Sequence, residues 1–144
     1  MSDIPSALRD EVVLRAGGRC EYCRLSQAGQ EATFHIDHVV PRAAGGPTEA
    51  GNLALACVSC SLRKWARQVA PDPETGEDAP LFSPRTQRWV DHFRWEGVVV
   101  VPLTPTGRAT TMALAMNRPL ATAIRWEELE RGRHPPPSDG TGSA

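Results

Sequence analysis

The run HIDH at residues 35–38 carries three side chains that could take part in hydrolytic chemistry, His35, Asp37 and His38. Hydrolysis of a phosphodiester needs a base for water, a divalent cation for the leaving oxygen and a group that orients the base. A histidine with a pKa near about 6.5 can be the base, and an aspartate suits a hard cation. Asn52 could accept the second ring N–H of a histidine and fix its tautomer. This window therefore contains each residue type that the reaction requires.

Four cysteines flank this window as two CxxC pairs, Cys20 with Cys23 and Cys57 with Cys60. Two such pairs can supply four thiolates to one tetrahedral zinc ion. A redox site would need only one pair, and disulfides are disfavoured in the cytosol. Because a site with four cysteines has no open coordination position, we expect the zinc ion to hold the fold and not to perform chemistry.

The run HIDHVVPRAAGGPTEAGNLALACVSCSLRK resembles the HNH nuclease motif, in the class with two flanking CxxC knuckles. The shared features are an Asp-His pair that ends a strand, a proline after it, a GG loop, an Asn-Leu pair and a CxxC that leads into a helix with a lysine. Further along, LFSPRTQRWVDHFRWEG and LTPTGRAT resemble the C-terminal extension of some bacterial HNH proteins. The resemblance implies a ββα-metal fold and an endonuclease that acts on nucleic acid, with DNA as the expected target.

The same resemblance implies a role for each residue of the window. His38 would be the general base, and Asp37 would hold a catalytic Mg²⁺ or Mn²⁺ ion. Asn52 would orient His38, and Lys64 would contact phosphate. The products would carry 5′-phosphate and 3′-hydroxyl ends.

The sequence departs from the family pattern at Ser61. The family usually places histidine or asparagine there, as the second protein ligand of the catalytic metal. A serine hydroxyl can bind magnesium, but it is shorter and a weaker ligand. His35 could compensate, because it shares a strand face with Asp37 and could approach the metal or the substrate. Three hypotheses stay open: an active endonuclease, a zinc-stabilised nucleic-acid-binding module with weak or no cleavage, and a zinc-dependent interaction protein that binds through its C-terminal half.

Charge and hydropathy restrict the partners. The formal net charge is −1, so phosphate contacts must come from a local patch, and the candidate cations are Arg63, Lys64 and Arg67. Trp65 lies among them and fits either a structural role or stacking on a base. No apolar run is long enough to span a membrane, and the N-terminus does not resemble a secretory signal, so we expect a cytoplasmic protein.

The sequence patterns of the helices and strands that must position these residues predict an α+β fold. We expect a small ββα-metal core stapled by the zinc site, with a C-terminal β-hairpin and helices as an extension. The predicted strands of the core are residues 32–40 and a short segment around Leu53 and Leu55, and a helix follows at 58–68. The predicted segments are a core over 1–70, a linker over 71–80, an extension over 81–133 and a disordered tail over 134–144.

Overall fold

The structure is a computed structural model that describes residues 4–137. It confirms the α+β class: short helices surround three antiparallel strand pairs. The strands are β1 His35–His38, β2 Leu53–Ala56, β3 Val69–Pro71, β4 Asp78–Pro80, β5 Phe93–Glu96 and β6 Val99–Pro102. The α-helices are α1 Ser6–Arg15, α2 Val58–Lys64, α3 Trp89–His92, α4 Pro105–Ala113 and α5 Pro119–Glu130. None of these helices is long and apolar enough to cross a membrane.

The strands β1 and β2 and the helix α2 form the ββα unit that the sequence predicts. His35 pairs with Ala56 and His38 pairs with Leu53, so the HIDH run lies against the apolar LALA strand, which is fully buried. The strand β1 is shorter than the predicted 32–40. Side chains replace ladder hydrogen bonds on both sides of it: Gln27 accepts from the backbone N–H of Phe34, and Asn52 accepts from that of Val40.

The four cysteines meet at the base of this unit. Their sulfur atoms all lie within 4.8 Å of one another, and all four residues are buried. Cys57 caps the N-terminus of α2, so the second knuckle is part of the helix start. The Cys23 and Cys57 sulfurs are 3.7 Å apart. Two ligands of one tetrahedral zinc at about 2.3 Å would be separated by about 3.8 Å, so the cluster fits a zinc ion.

Residues 71–80 form a hairpin instead of the predicted linker. The strands β3 and β4 pair from Val69 with Pro80 to Pro71 with Asp78. The turn between them closes around Asp72, which is buried and accepts two hydrogen bonds from Arg108 of α4, at 2.9 and 2.8 Å. One of the acidic residues in the segment that was predicted as a linker, Asp72, is therefore a buried ion-pair partner of Arg108.

The extension packs directly on the zinc-stapled unit. The hairpin that the sequence predicts at residues 92–95 and 98–101 is β5–β6, and the helix predicted at 120–131 is α5; each lies within about a residue of its prediction. The helix α4 begins at Pro105, three residues before the start that the sequence predicts at Arg108, because the Thr104 side chain caps it by accepting from the backbone N–H of Gly107. Phe82 packs edge-on against Tyr22 of the first knuckle, so one hydrophobic core serves both parts.

Part of the predicted tail is ordered. His134 is buried, with its ring against Trp95 and its Nε2 atom 2.8 Å from the carbonyl oxygen of Gly97. Its imidazole fills a gap beside the β5–β6 turn, which corrects the expectation that the tail begins there. Residues 138–144 lie outside the described residues, so the prediction of disorder is untested there.

We predict that the purified protein contains one zinc per chain and that chelation abolishes cooperative unfolding. The cluster replaces apolar core at the base of the ββα unit, so the binding energy of the metal contributes to folding. Elemental analysis measures the zinc content, and thermal unfolding with and without a chelator measures the cooperativity. Added zinc should restore the cooperative unfolding transition. A folded, cooperative protein that contains no zinc would contradict the prediction.

We also predict that Asp72→Asn lowers the free energy of unfolding at pH 7. The hydrogen bonds from Arg108 lower the pKa of Asp72 to about 2, from an ordinary value of 3.8. The stabilisation is therefore present above about pH 4 and is lost as the pH falls toward 2. Denaturant unfolding at several pH values should show a weaker acid dependence in Asp72→Asn. The exposed Asp78→Asn is the control, and an equal effect of both changes would contradict the prediction.

Candidate active site

Asp37 faces the interior of the ββα unit. Its side chain is only 7% exposed, and its Oδ2 atom accepts a hydrogen bond of 2.7 Å from the Tyr22 hydroxyl. The ammonium of Lys64 lies 3.2 Å from the same oxygen. Burial raises the pKa of Asp37, while Lys64 and Tyr22 act in the opposite direction. Tyr22 lies between the cysteines of the first knuckle, so the zinc site directly positions this carboxylate.

Lys64 is not part of the exposed basic patch that the sequence predicts. It is 2% exposed, and its ammonium also donates to the carbonyl oxygens of His38 and Val39, at 3.1 and 3.2 Å. The reason is that α2 packs its Ser61 and Lys64 face onto β1. Only Arg63 and Arg67 of the predicted trio are exposed, so the cationic surface beside the site is smaller than expected.

His38 points away from Asp37, as alternation along a strand requires. Its Nε2 atom lies 2.9 Å from the hydroxyl oxygen of Thr48, and the Nε–H of Arg42 donates to it at 3.2 Å. Partial burial lowers the pKa of His38, and the positive charge of Arg42 lowers it further. The imidazole is therefore held in its neutral form, which is the form that can accept a proton.

Asn52 does not contact the His38 ring. Its buried side chain accepts from the backbone N–H of Val40 at 2.9 Å and donates to the carbonyl oxygens of Val40 and Pro47 at 3.0 and 2.9 Å. Asn52 thus closes the loop after β1 and acts on His38 only through the backbone. Thr48, in that loop, contacts the ring instead. Sequence reasoning missed Thr48 and Arg42 because residues 42–51, rich in glycine and alanine, predict only a loop.

His35 and Ser61 lie together, as their predicted accessory roles require. The His35 Nδ1 atom is 2.9 Å from the Ser61 hydroxyl oxygen, and both residues are half-buried. His35 shares the β1 face of Asp37, and Ser61 shares the α2 face of Lys64, so these side chains belong to one cluster. The Oδ1 atom of Asp37 has only a long contact of 3.4 Å to Lys64. A carboxylate oxygen, a hydroxyl and an imidazole together fit a divalent cation in their chemistry.

A comparison with protein families bears on this arrangement. The family model described as HNH endonuclease matches residues 20–67, from the first cysteine to Arg67. Comparisons with curated proteins and with solved structures gave no match. The matched span contains both knuckles, β1, β2, α2 and the loop that contacts His38. Residues 20–67 of this chain are therefore similar to the HNH endonuclease family.

Proposed function

We propose that this protein is a metal-dependent HNH endonuclease that hydrolyses phosphodiester bonds of nucleic acid, with DNA as its target. His38 is the general base, and Asp37 is a ligand of a Mg²⁺ or Mn²⁺ ion. The observation that carries the proposal is the placement of a neutral, partly exposed imidazole one residue from a buried carboxylate in an HNH domain. In-line attack by water on phosphorus needs a base and a metal ligand in fixed positions. The strand β1 fixes both, with the two side chains on opposite faces.

The residues around His38 support a role in proton transfer. Arg42 is exposed, and a phosphate is a stronger partner for its guanidinium than a neutral imidazole is. When substrate binds, Arg42 turns to the phosphate, and the Nε2–H of His38 donates to Thr48. The Nδ1 atom then accepts the proton of the attacking water. Thr48 therefore takes the orienting role that the sequence assigned to Asn52.

Asp37 and Ser61, with His35 beside them, would hold the divalent ion. When bound, the ion supplies positive charge that stabilises the 3′-oxygen as it leaves, which gives 5′-phosphate and 3′-hydroxyl ends. Tyr22 and Lys64 keep the carboxylate of Asp37 fixed in one position. The exposed Arg63 and Arg67 bind neighbouring phosphates of the strand.

A second function is favoured by a specific observation. Ser61 already contacts His35, and the ammonium of Lys64 lies beside the carboxylate that should hold the metal. Both features would weaken the binding of a divalent ion at this place. The alternative is therefore a zinc-stabilised nucleic-acid-binding module with weak or no cleavage.

His38→Ala should lower the rate of plasmid nicking by roughly 10²–10⁴-fold, the usual effect of losing a general base. Thr48→Val should lower it by about tenfold, because the ring loses its orienting partner. The assay is supercoiled-plasmid nicking with Mg²⁺ or Mn²⁺, and thermal unfolding verifies that each variant is folded. Thr122→Val is the matched control, since Thr122 is a half-buried threonine on α5, as Thr48 is in its loop. If His38→Ala cuts at the wild-type rate, the assignment of the base is wrong.

Ser61→Asn should tighten metal binding and raise the cleavage rate at limiting Mg²⁺, because an amide oxygen reaches further than the serine hydroxyl. Nicking rates measured across a Mg²⁺ titration test this, with Ser59→Asn in the same helix as the control. A wild type that cleaves with neither ion, beside an active Ser61→Asn variant, would establish the binding module instead of the enzyme.

A further inference from the structure

Trp65 ends α2 in a backbone conformation that large side chains avoid. Its φ is +50° and its ψ is −121°. The helix α1 is followed by the same left-handed sign of φ, but there the residues are Gly17 and Gly18, which adopt it without a steric penalty. A bulky residue with positive φ is strained, and such strain persists where surrounding structure or function requires it.

Burial does not offset this strain. The Trp65 side chain is 79% exposed, so the indole gains little from packing against the protein. A large, rigid aromatic group is thus held in solvent by a strained backbone. The stability of the free chain does not explain the backbone strain, which indicates that the ring has a partner outside the chain.

The surroundings of Trp65 identify the chemistry of that partner. Its backbone N–H bonds to the carbonyl oxygen of Ser61, so the ring starts one helical turn from the candidate metal ligands. The exposed cations Arg63 and Arg67 lie on either side of it in the chain. An aromatic face between cations that can bind phosphates is the arrangement by which proteins hold single strands, since every base has a face to stack.

The other strongly exposed tryptophan has different neighbouring residues. Trp126 on α5 is 59% exposed, but its chain neighbours include the exposed Glu127 and Glu130. These carboxylates would repel a phosphate backbone. Trp126 is also a regular helical residue, without the strain seen at position 65. It therefore serves as a matched control.

We infer that Trp65 stacks on an unpaired base of the bound strand next to the scissile phosphate, and that the substrate class is single-stranded DNA. In a duplex both faces of a base are covered by its neighbours, so a stacking side chain would first have to unstack it. This inference rests on the proposed function. It assigns Trp65 as a residue that determines specificity and takes no part in bond cleavage.

The experiment measures binding in a His38→Ala background, which slows cleavage while Mg²⁺ is present. Fluorescence anisotropy compares three probes: oligo(dT) of about 12 nucleotides, an equally long strand that carries no bases, and a duplex of the same length. The variants are Trp65→Gly, Trp65→Leu, Trp65→Phe and the control Trp126→Ala. Thermal unfolding of each variant is measured in parallel.

Trp65→Gly and Trp65→Leu should weaken oligo(dT) binding by roughly 5- to 100-fold, and Trp65→Phe should retain most of the affinity. Binding of the baseless strand and the duplex should change by less than about twofold, because the phosphate contacts remain. Trp65→Gly should also raise the melting temperature by about 3–8 °C, since it relieves the strain. Trp126→Ala should leave all three affinities unchanged.

Three results would overturn the inference in distinguishable ways. If the parent binds all three probes and Trp65→Gly binds oligo(dT) equally well, the assignment of Trp65 fails while the proposed function stands. The same holds if Trp65→Gly melts lower and loses all three probes equally, because the residue is then structural. If the parent binds none of the probes, the proposed function fails, and the assignment of Trp65 fails with it.

Discussion

The hydrogen bond from Tyr22 to Asp37 joins the two halves of the site. Tyr22 belongs to the first zinc knuckle, and the second partner of Asp37, Lys64, ends the helix that Cys57 of the other knuckle begins. A metal in the cysteine cluster therefore fixes both groups that hold the carboxylate. Because all three side chains are buried, loss of one partner would leave an uncompensated polar or charged group, at a cost of about 3–5 kcal/mol for the ion pair.

The C-terminal extension also contacts the first cysteine knuckle. Arg85 forms an ion pair with Glu21 in the first knuckle, and Glu21 in turn accepts from the backbone N–H of Leu55 in β2. Arg125 of α5 is buried, and it donates to the carbonyl oxygens of Cys23 and Met116, at 3.4 and 2.8 Å. Its positive charge lies near four cysteines that would be thiolates around zinc. The matched HNH span thus relies on residues beyond it for its charge balance.

The sequence was sufficient to predict the cysteine cluster, the β1–β2–α2 unit and the β5–β6 hairpin, because spacing and alternation determine them locally. It was not sufficient to predict that Lys64 is buried, because the packing of a basic helix decides which of its faces is buried. It also missed the contact of Thr48 with His38, which depends on the path of a loop. The hairpin at residues 71–80 was read as a linker because the pairing of Asp72 with Arg108 is long-range.

The path of that loop explains how the His38 ring is held in place although β1 is so short. A side chain at Gly46 would place its Cβ 1.7 Å from the carbonyl oxygen of Val40, so only glycine allows the loop to turn back there. The Asn52 side chain closes the same turn through three hydrogen bonds. Thr48 reaches the His38 ring only because this turn is tight. The glycine and the asparagine of the motif therefore act on the position of His38 by shaping the backbone, and they do not contact its ring.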